Sequence, residues 1–77
     1  MKRKNNYQVV AYNKMTKELI DGKWQHEEID EGWCCSLKRA INRGERMIAQ
    51  DPISWYYRIY DADGEIDQET IWEMQIV

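Results

Sequence analysis

The sequence predicts an α+β fold: two layers, with a four-stranded, mainly antiparallel sheet and one helix packed on one face, in the order ββαββ. Three observations predict it. Residues 30–50 repeat apolar side chains at three-and-four spacing, residues 53–60 alternate strictly, and residues 7–12 are rich in β-branched and aromatic types.

The N-terminal run Tyr7-Gln8-Val9-Val10-Ala11-Tyr12 reads as the first strand. Residues 13–16, polar apart from Met15, read as its turn, and residues 17–21 as a short return strand that ends at Gly22. The helix is read over 30–50 from the stripe Trp33, Cys34, Leu37, Ala40, Ile41, Met47 and Ile48, with Gly44 completing it. Asp30 suits its N-cap, Glu28 and Glu31 the positive end of its dipole, and Pro52 its termination. Gly44 costs about 1 kcal/mol against alanine within a helix, which points to close packing on the sheet there.

In the third strand, Ile53, Trp55, Tyr57 and Ile59 share one face, and Ser54, Tyr56, Arg58 and Tyr60 the other. Asp61-Ala62-Asp63-Gly64 is a turn. Pairing Tyr60 with Glu65 sets Ile59 opposite Ile66, Trp55 opposite Thr70 and Ile53 opposite Trp72. That register predicts a last strand with Thr70, Trp72, Met74 and Ile76 toward the helix, and Ile71 and Val77 outward. Element order and size are similar to the β-grasp class, in which the first and last strands run parallel at the sheet centre; this resemblance concerns architecture alone.

Length and composition bound the rest. Seventy-seven residues, 43% hydrophobic and 32% charged, suit one small folded domain over 1–77, with residues 1–6 as a frayed N-terminus. Its large rings are four Trp and five Tyr with no Phe, so each carries a polar handle suited to half-buried positions. No apolar run approaches the roughly 20 residues that span a bilayer, and the basic start lacks a signal-peptide core, so no membrane is expected. Cys34 and Cys35 are adjacent and poorly placed to bridge each other, which points to a reducing, cytoplasmic setting.

No motif demands a cofactor, a metal or a catalytic residue. Asp61-Ala62-Asp63-Gly64-Glu65-Ile66-Asp67 echoes a calcium loop. Alignment on Gly64, however, puts Ile59 at the first ligand position and Thr70 at the last, so an acidic hairpin turn is the reading. His26 with the adjacent cysteines lacks the ligand number and spacing of a zinc site. With one histidine, no phosphate-binding glycine loop and no nucleophile elbow, the expectation is a protein that is not an enzyme.

Charge is unevenly spread. Residues 26–35 carry four acids, residues 36–50 four bases against one acid, and residues 61–77 six acids, within a formal net charge of −3. Two contact surfaces are expected. Tyr56, Arg58, Tyr60 and Ile71, on the sheet face away from the helix, are interface residue types and form the candidate protein-binding set. Lys38, Arg39, Arg43 and Arg46, together with Lys2, Arg3 and Lys4, form the alternative, a nucleic-acid surface.

Small domains without metals or catalytic motifs are the format of bacterial or phage regulatory proteins, inhibitors of host enzymes or defence systems among them. The leading expectation is therefore a stand-alone module that occludes a partner protein through the outer sheet face and an exposed edge strand. A nucleic-acid-binding domain is the first alternative and a homodimeric structural domain the second.

Overall fold

A computed structural model describes residues 6–76 of the chain. The order is β1 (Tyr7–Ile20), β2 (Lys23–Cys34), α1 (Leu37–Met47), β3 (Trp55–Asp61), β4 (Gly64–Glu65) and α2 (Gln68–Ile76). It is an α+β fold. The four strands form one sheet in the order β2-β1-β3-β4, and every pairing is antiparallel. The first strand is flanked by β2 and β3, so the parallel central pair of the β-grasp arrangement is absent. Of the N-terminus expected to fray, Asn6 is exposed; residues 1–5, which include Lys2, Arg3 and Lys4, lie outside the described residues, as does Val77.

β1 is longer than the sequence suggested. The polar residues expected to turn it back instead make an irregularity within one strand: Asn13 opposes Glu27 and Lys17 opposes His26, leaving Lys14, Met15 and Thr16 without partners in β2. The Asn13 side-chain oxygen accepts from the Met15 amide at 3.0 Å, and the Lys14 amide donates to the Ser54 carbonyl at 2.9 Å. These contacts let the chain bulge without losing its backbone bonds. The true hairpin turn is Asp21-Gly22, where φ is 51° and 79°. Positive φ at both central residues is what a two-residue turn of type I′ requires, and Asp-Gly is among its preferred sequences.

α1 begins later than Asp30. Residues 30–34 are drawn into β2, where Asp30 opposes Ala11 and Cys34 opposes Tyr7. Helix geometry starts after Ser36, whose hydroxyl oxygen accepts from the Arg39 amide at 3.2 Å as an N-cap. Trp33 therefore belongs to the sheet rather than to the covering helix. α1 packs Ala40, Ile41 and Gly44 on the sheet, against a core of Val9, Cys34, Ile59 and Ile71 with Tyr7 and Tyr57 beside it. At Gly44 a β-carbon would come closer than 3.0 Å to the Tyr57 ring, so the missing side chain makes room for that ring.

The largest departure is C-terminal. Tyr60 does oppose Glu65, and the Ile66 amide donates to the Ile59 carbonyl at 2.7 Å, but the pairing stops there. Asp67 turns the chain: its carboxylate accepts from the Glu69 amide at 2.9 Å, and its carbonyl from the Ile71 amide at 3.2 Å. The segment holding Thr70, Trp72 and Met74 is thus a second helix, α2, in place of a continued strand. Ile71 is 2% exposed in the core, whereas Trp72 is 61% exposed, the reverse of the expected facing. Ile53, also placed in the core by that register, precedes β3 and is exposed. Gln75 secures α2 by donating to Glu45 Oε1 at 2.7 Å and to the Tyr57 hydroxyl at 3.0 Å.

Two stability measurements check this packing. Ile71→Val should lower unfolding free energy by about 0.5–1.5 kcal/mol and Trp72→Ala by no more than about 0.5 kcal/mol in urea titrations. The opposite ranking would restore the strand. Gly44→Ala should destabilise by roughly 1–3 kcal/mol through overpacking on Tyr57, despite alanine's better helix propensity. A gain in its urea midpoint would show that the helix does not approach Tyr57 this closely.

Candidate functional site

Both helices lie on one side of the sheet, and the opposite face is built by three cross-strand rows. Trp33, Gln8 and Tyr60 make the first, Glu31, Val10 and Arg58 the second, and Glu28, Tyr12 and Tyr56 the third. Tyr56, Arg58 and Tyr60 thus share this outer face, while Ile71, expected beside them, is in the core.

The outer face covers itself. Tyr12 stacks on Tyr56 with centroids 5.3 Å apart and planes 24° apart, and its hydroxyl meets that of Tyr60 at 3.0 Å. Tyr12 and Tyr60 lean across the middle row, which explains how Val10 is 2% exposed with no element among the described residues above it. Arg58 Nη1 donates to both carboxylate oxygens of Glu65, at 2.8 and 2.9 Å, and its guanidinium carbon lies 5.4 Å from the Tyr56 ring centre. His26 Nδ1 lies 2.7 Å from the Tyr56 hydroxyl. Gln8 reaches Glu31 at 3.2 Å. The polar ends of these rings are bonded to one another, so the face is a braced floor with few groups free to engage a ligand.

Burial pushes the Tyr12 hydroxyl well above the ordinary 10.0, and its bond to Tyr60 adds to the effect. Burial also pushes Tyr57 up to about 12, assisted by the nearby Glu45 carboxylate and opposed by the bond from Gln75.

Past the bulge, β1 has lost β3 as a neighbour: its last partner there is Trp55, opposite Asn13. From Lys17 to His26 it pairs with β2 alone, so the hairpin tip is a two-stranded arm. Leu19 opposes Trp24 on one face of the arm, and they are 60% and 69% exposed. Met15, in the bulge, and Ile20, beside the turn, are exposed as well. The arm is anchored where His26 meets Tyr56 and where the Thr16 hydroxyl lies 3.1 Å from the Glu27 carboxylate. Asp21-Gly22, after Leu19-Ile20 and before Trp24, is the sequence signal for this arm, and the turn expected at 13–16 is instead the bulge within β1.

The basic residues divide. Arg39, Arg43 and Arg46 line one groove with Trp33, whereas Lys38 lines a separate hollow with Ile41, Glu45 and Met74. Cys34 is buried and Cys35 half-buried, both as free thiols. His26 opposes Lys17 at one end of β2 and Cys34 opposes Tyr7 at the other. Among the described residues no group of three or more His, Cys, Asp or Glu is placed to hold a metal ion. In the acidic turn, the Asp61 carboxylate accepts from the Asp63 amide at 2.8 Å and so closes the turn. No helix among the described residues is long and apolar enough to cross a membrane. Comparisons with protein-family models, curated proteins and solved structures found no match to this chain.

The two raised tyrosines give a signed pH dependence. The unfolded chain releases these protons near pH 10.0 and the folded chain above it. Their stabilisation is therefore fully present below pH 10; Tyr57's is lost as the pH rises from there toward about 12, and Tyr12's falls over the same interval and beyond it. Urea midpoints should fall across that interval. Tyr12→Phe should cost about 1 kcal/mol at neutral pH, through the lost hydroxyl bond, and should flatten the decline. An equally steep decline in that variant would remove Tyr12 as a contributor.

Proposed function

We propose that this chain is a protein-binding module that grips a partner protein with its two-stranded arm and acts by covering the partner's surface. The observation that carries this reading is the placement of Leu19, Ile20 and Trp24, exposed on a ribbon past the last β3 pairing, with Met15 exposed in the bulge at its root. A two-stranded hairpin is marginal in water, and large apolar side chains on one are unfavourable until something buries them. Tryptophan is the residue type most enriched at the energetic centre of interfaces.

The chemistry also describes the partner. β2 is a sheet edge, and Glu27, Glu28, Asp30 and Glu31 lie along it next to the arm. An apolar cleft with basic residues on one rim complements both features. A second copy docked antiparallel on the same edge would oppose acid to acid, which disfavours that form of homodimer. In this reading Tyr56, Arg58 and Tyr60 brace the root of the arm, through His26 and Tyr12, and hold its angle to the sheet. A regulator or inhibitor working by occlusion needs no reaction of its own, only a rigid projection that fits its target.

The test begins with proteins retained from a native-source extract and ends with a purified partner. Leu19→Ser/Trp24→Ser should weaken binding by about 30-fold or more, as expected for a tryptophan hot spot, with the thermal midpoint unchanged. Retention of the same proteins by wild type and double variant would overturn the proposal. So would sedimentation showing that the arm is buried against a second copy of this chain.

A further inference from the structure

A groove of about 380 Å³ runs between the C-terminal end of β2 and one side of α1. That is near the lower end of the range for small-molecule sites, about 300–1,000 Å³. Arg39, Arg43 and Arg46 line it from the helix, at spacings of four and three that set them in one row. Trp33, 53% exposed, stands in the outer-face row beside Gln8 and Tyr60, but β2 is the edge strand and Trp33 borders the groove around that edge; Asn42 adds an amide.

Three features separate this row from an ordinary solvated helix face. Among the described residues the ion pair formed is Arg58–Glu65, so none of the three guanidinium groups has a carboxylate partner. The first turn of α1 holds Lys38 and Arg39 and no acid, placing cations at the positive end of the helix dipole. Arg43 is also seated: a β-carbon on Gly32 would come closer than 3.0 Å to its guanidinium, so the glycine lets that side chain press against β2. The row thus offers three guanidinium groups with no carboxylate partner, Arg39 at the positive end of the helix dipole, Arg43 pressed on Gly32 and Arg46 in the last turn, and all three are open to a bound anion.

We propose that this groove binds one nucleotide unit, its phosphate held by Arg39, Arg43 and Arg46 and its base stacked on Trp33. Guanidinium groups match phosphate oxygens in charge and in fork geometry. An indole face stacks on any base, and an asparagine amide can pair with a base edge. The extent is short. Asp30 lines the adjoining hollow with Arg43, Arg46 and Met47, and Glu27, Glu28 and Glu31 follow along β2, so a polyanion running past the groove meets repulsion. The site uses none of the arm's residues and stands or falls apart from it.

The experiment titrates the whole isotope-labelled chain with adenosine 5′-monophosphate, adenosine, inorganic phosphate, a short single-stranded oligoadenylate and polyglutamate, following backbone amides and tryptophan indole signals. The expected result is saturable shifts at Trp33 and along α1 with the monophosphate or the oligonucleotide, weakened by added salt. Arg39→Gln/Arg46→Gln, which leaves the seated Arg43 in place, should lower affinity at least tenfold at an unchanged thermal midpoint. Trp33→Leu should erase the preference for nucleotide over phosphate. Saturation by the free monophosphate identifies a soluble nucleotide as the source, and binding of the oligonucleotide alone identifies a strand. Absence of shifts in the groove, equal binding of phosphate and nucleotide, polyglutamate binding as tightly as oligonucleotide, or affinity unchanged in the arginine variant would each overturn the proposal. Leu19→Ser/Trp24→Ser should bind the nucleotide like wild type, which separates this outcome from that of the arm.

Discussion

The structure depends on β1 serving two assemblies in succession. Over residues 8–13 it is flanked on both sides, by β2 and β3, and there Val9 and Ala11 are fully buried. Once β3 ends, the same strand continues with β2 as its sole neighbour among the described residues. The bulge at 14–16 lies between the two regimes, where the Lys14 amide donates to the Ser54 carbonyl just before β3. The bulge residues are exposed or half-buried, so the groups that lose a partner in β2 stand near water as the chain leaves the core. What changes at the bulge is side-chain burial, and the arm is exposed for that reason.

Within the sheet, the two faces are closed by different means. The inner face is covered by secondary structure, with α1 laid so closely that Gly44 and Tyr57 leave no space for a methyl group, and α2 pinned by Ile71 and Gln75. Among the described residues no element covers the outer face, and its side chains cover one another: Tyr12 and Tyr60 meet over Val10, and Arg58 closes on Glu65. The unusual ring composition has its explanation here. Phenylalanine could stack as Tyr12 and Tyr56 do, but it could not form the hydroxyl contacts to Tyr60 and His26 that hold the rings in place.

Much of this was legible in the sequence, and the misreadings have physical causes. Alternation at 55–60 and the pairing of Tyr60 with Glu65 follow from side-chain period and a glycine turn, both local properties. The helical stripe was carried too far upstream because Trp33 and Cys34 fit a three-and-four spacing. Pairing with Tyr7 and Gln8, a contact distant in sequence, decided that segment for the sheet. At the C-terminus, Thr70, Trp72 and Met74 do alternate, but one core contact, Ile71, and an Asp67 cap suffice to wind the chain the other way. Of the candidate contact residues, those on one element stayed together: Tyr56, Arg58 and Tyr60 on a strand, Arg39, Arg43 and Arg46 on a helix. Trp33 beside the arginines, and the arm itself, required knowledge of which distant segments meet.

The charge distribution follows the same division. A net charge of −3 conceals a basic row on α1 and an acidic run on the strand beside it. Neutralisation across that seam would be the simplest outcome, and Asp30 stands close enough to line a hollow with Arg43 and Arg46. Yet no ion pair forms there among the described residues, while Arg58 and Glu65, on the outer face, meet through Nη1, which is shared between both carboxylate oxygens. An exposed pair contributes at most about 1 kcal/mol, so leaving the seam unpaired costs the fold little. Because the cost is small, opposite charges can persist side by side on one small surface, each available to a different partner.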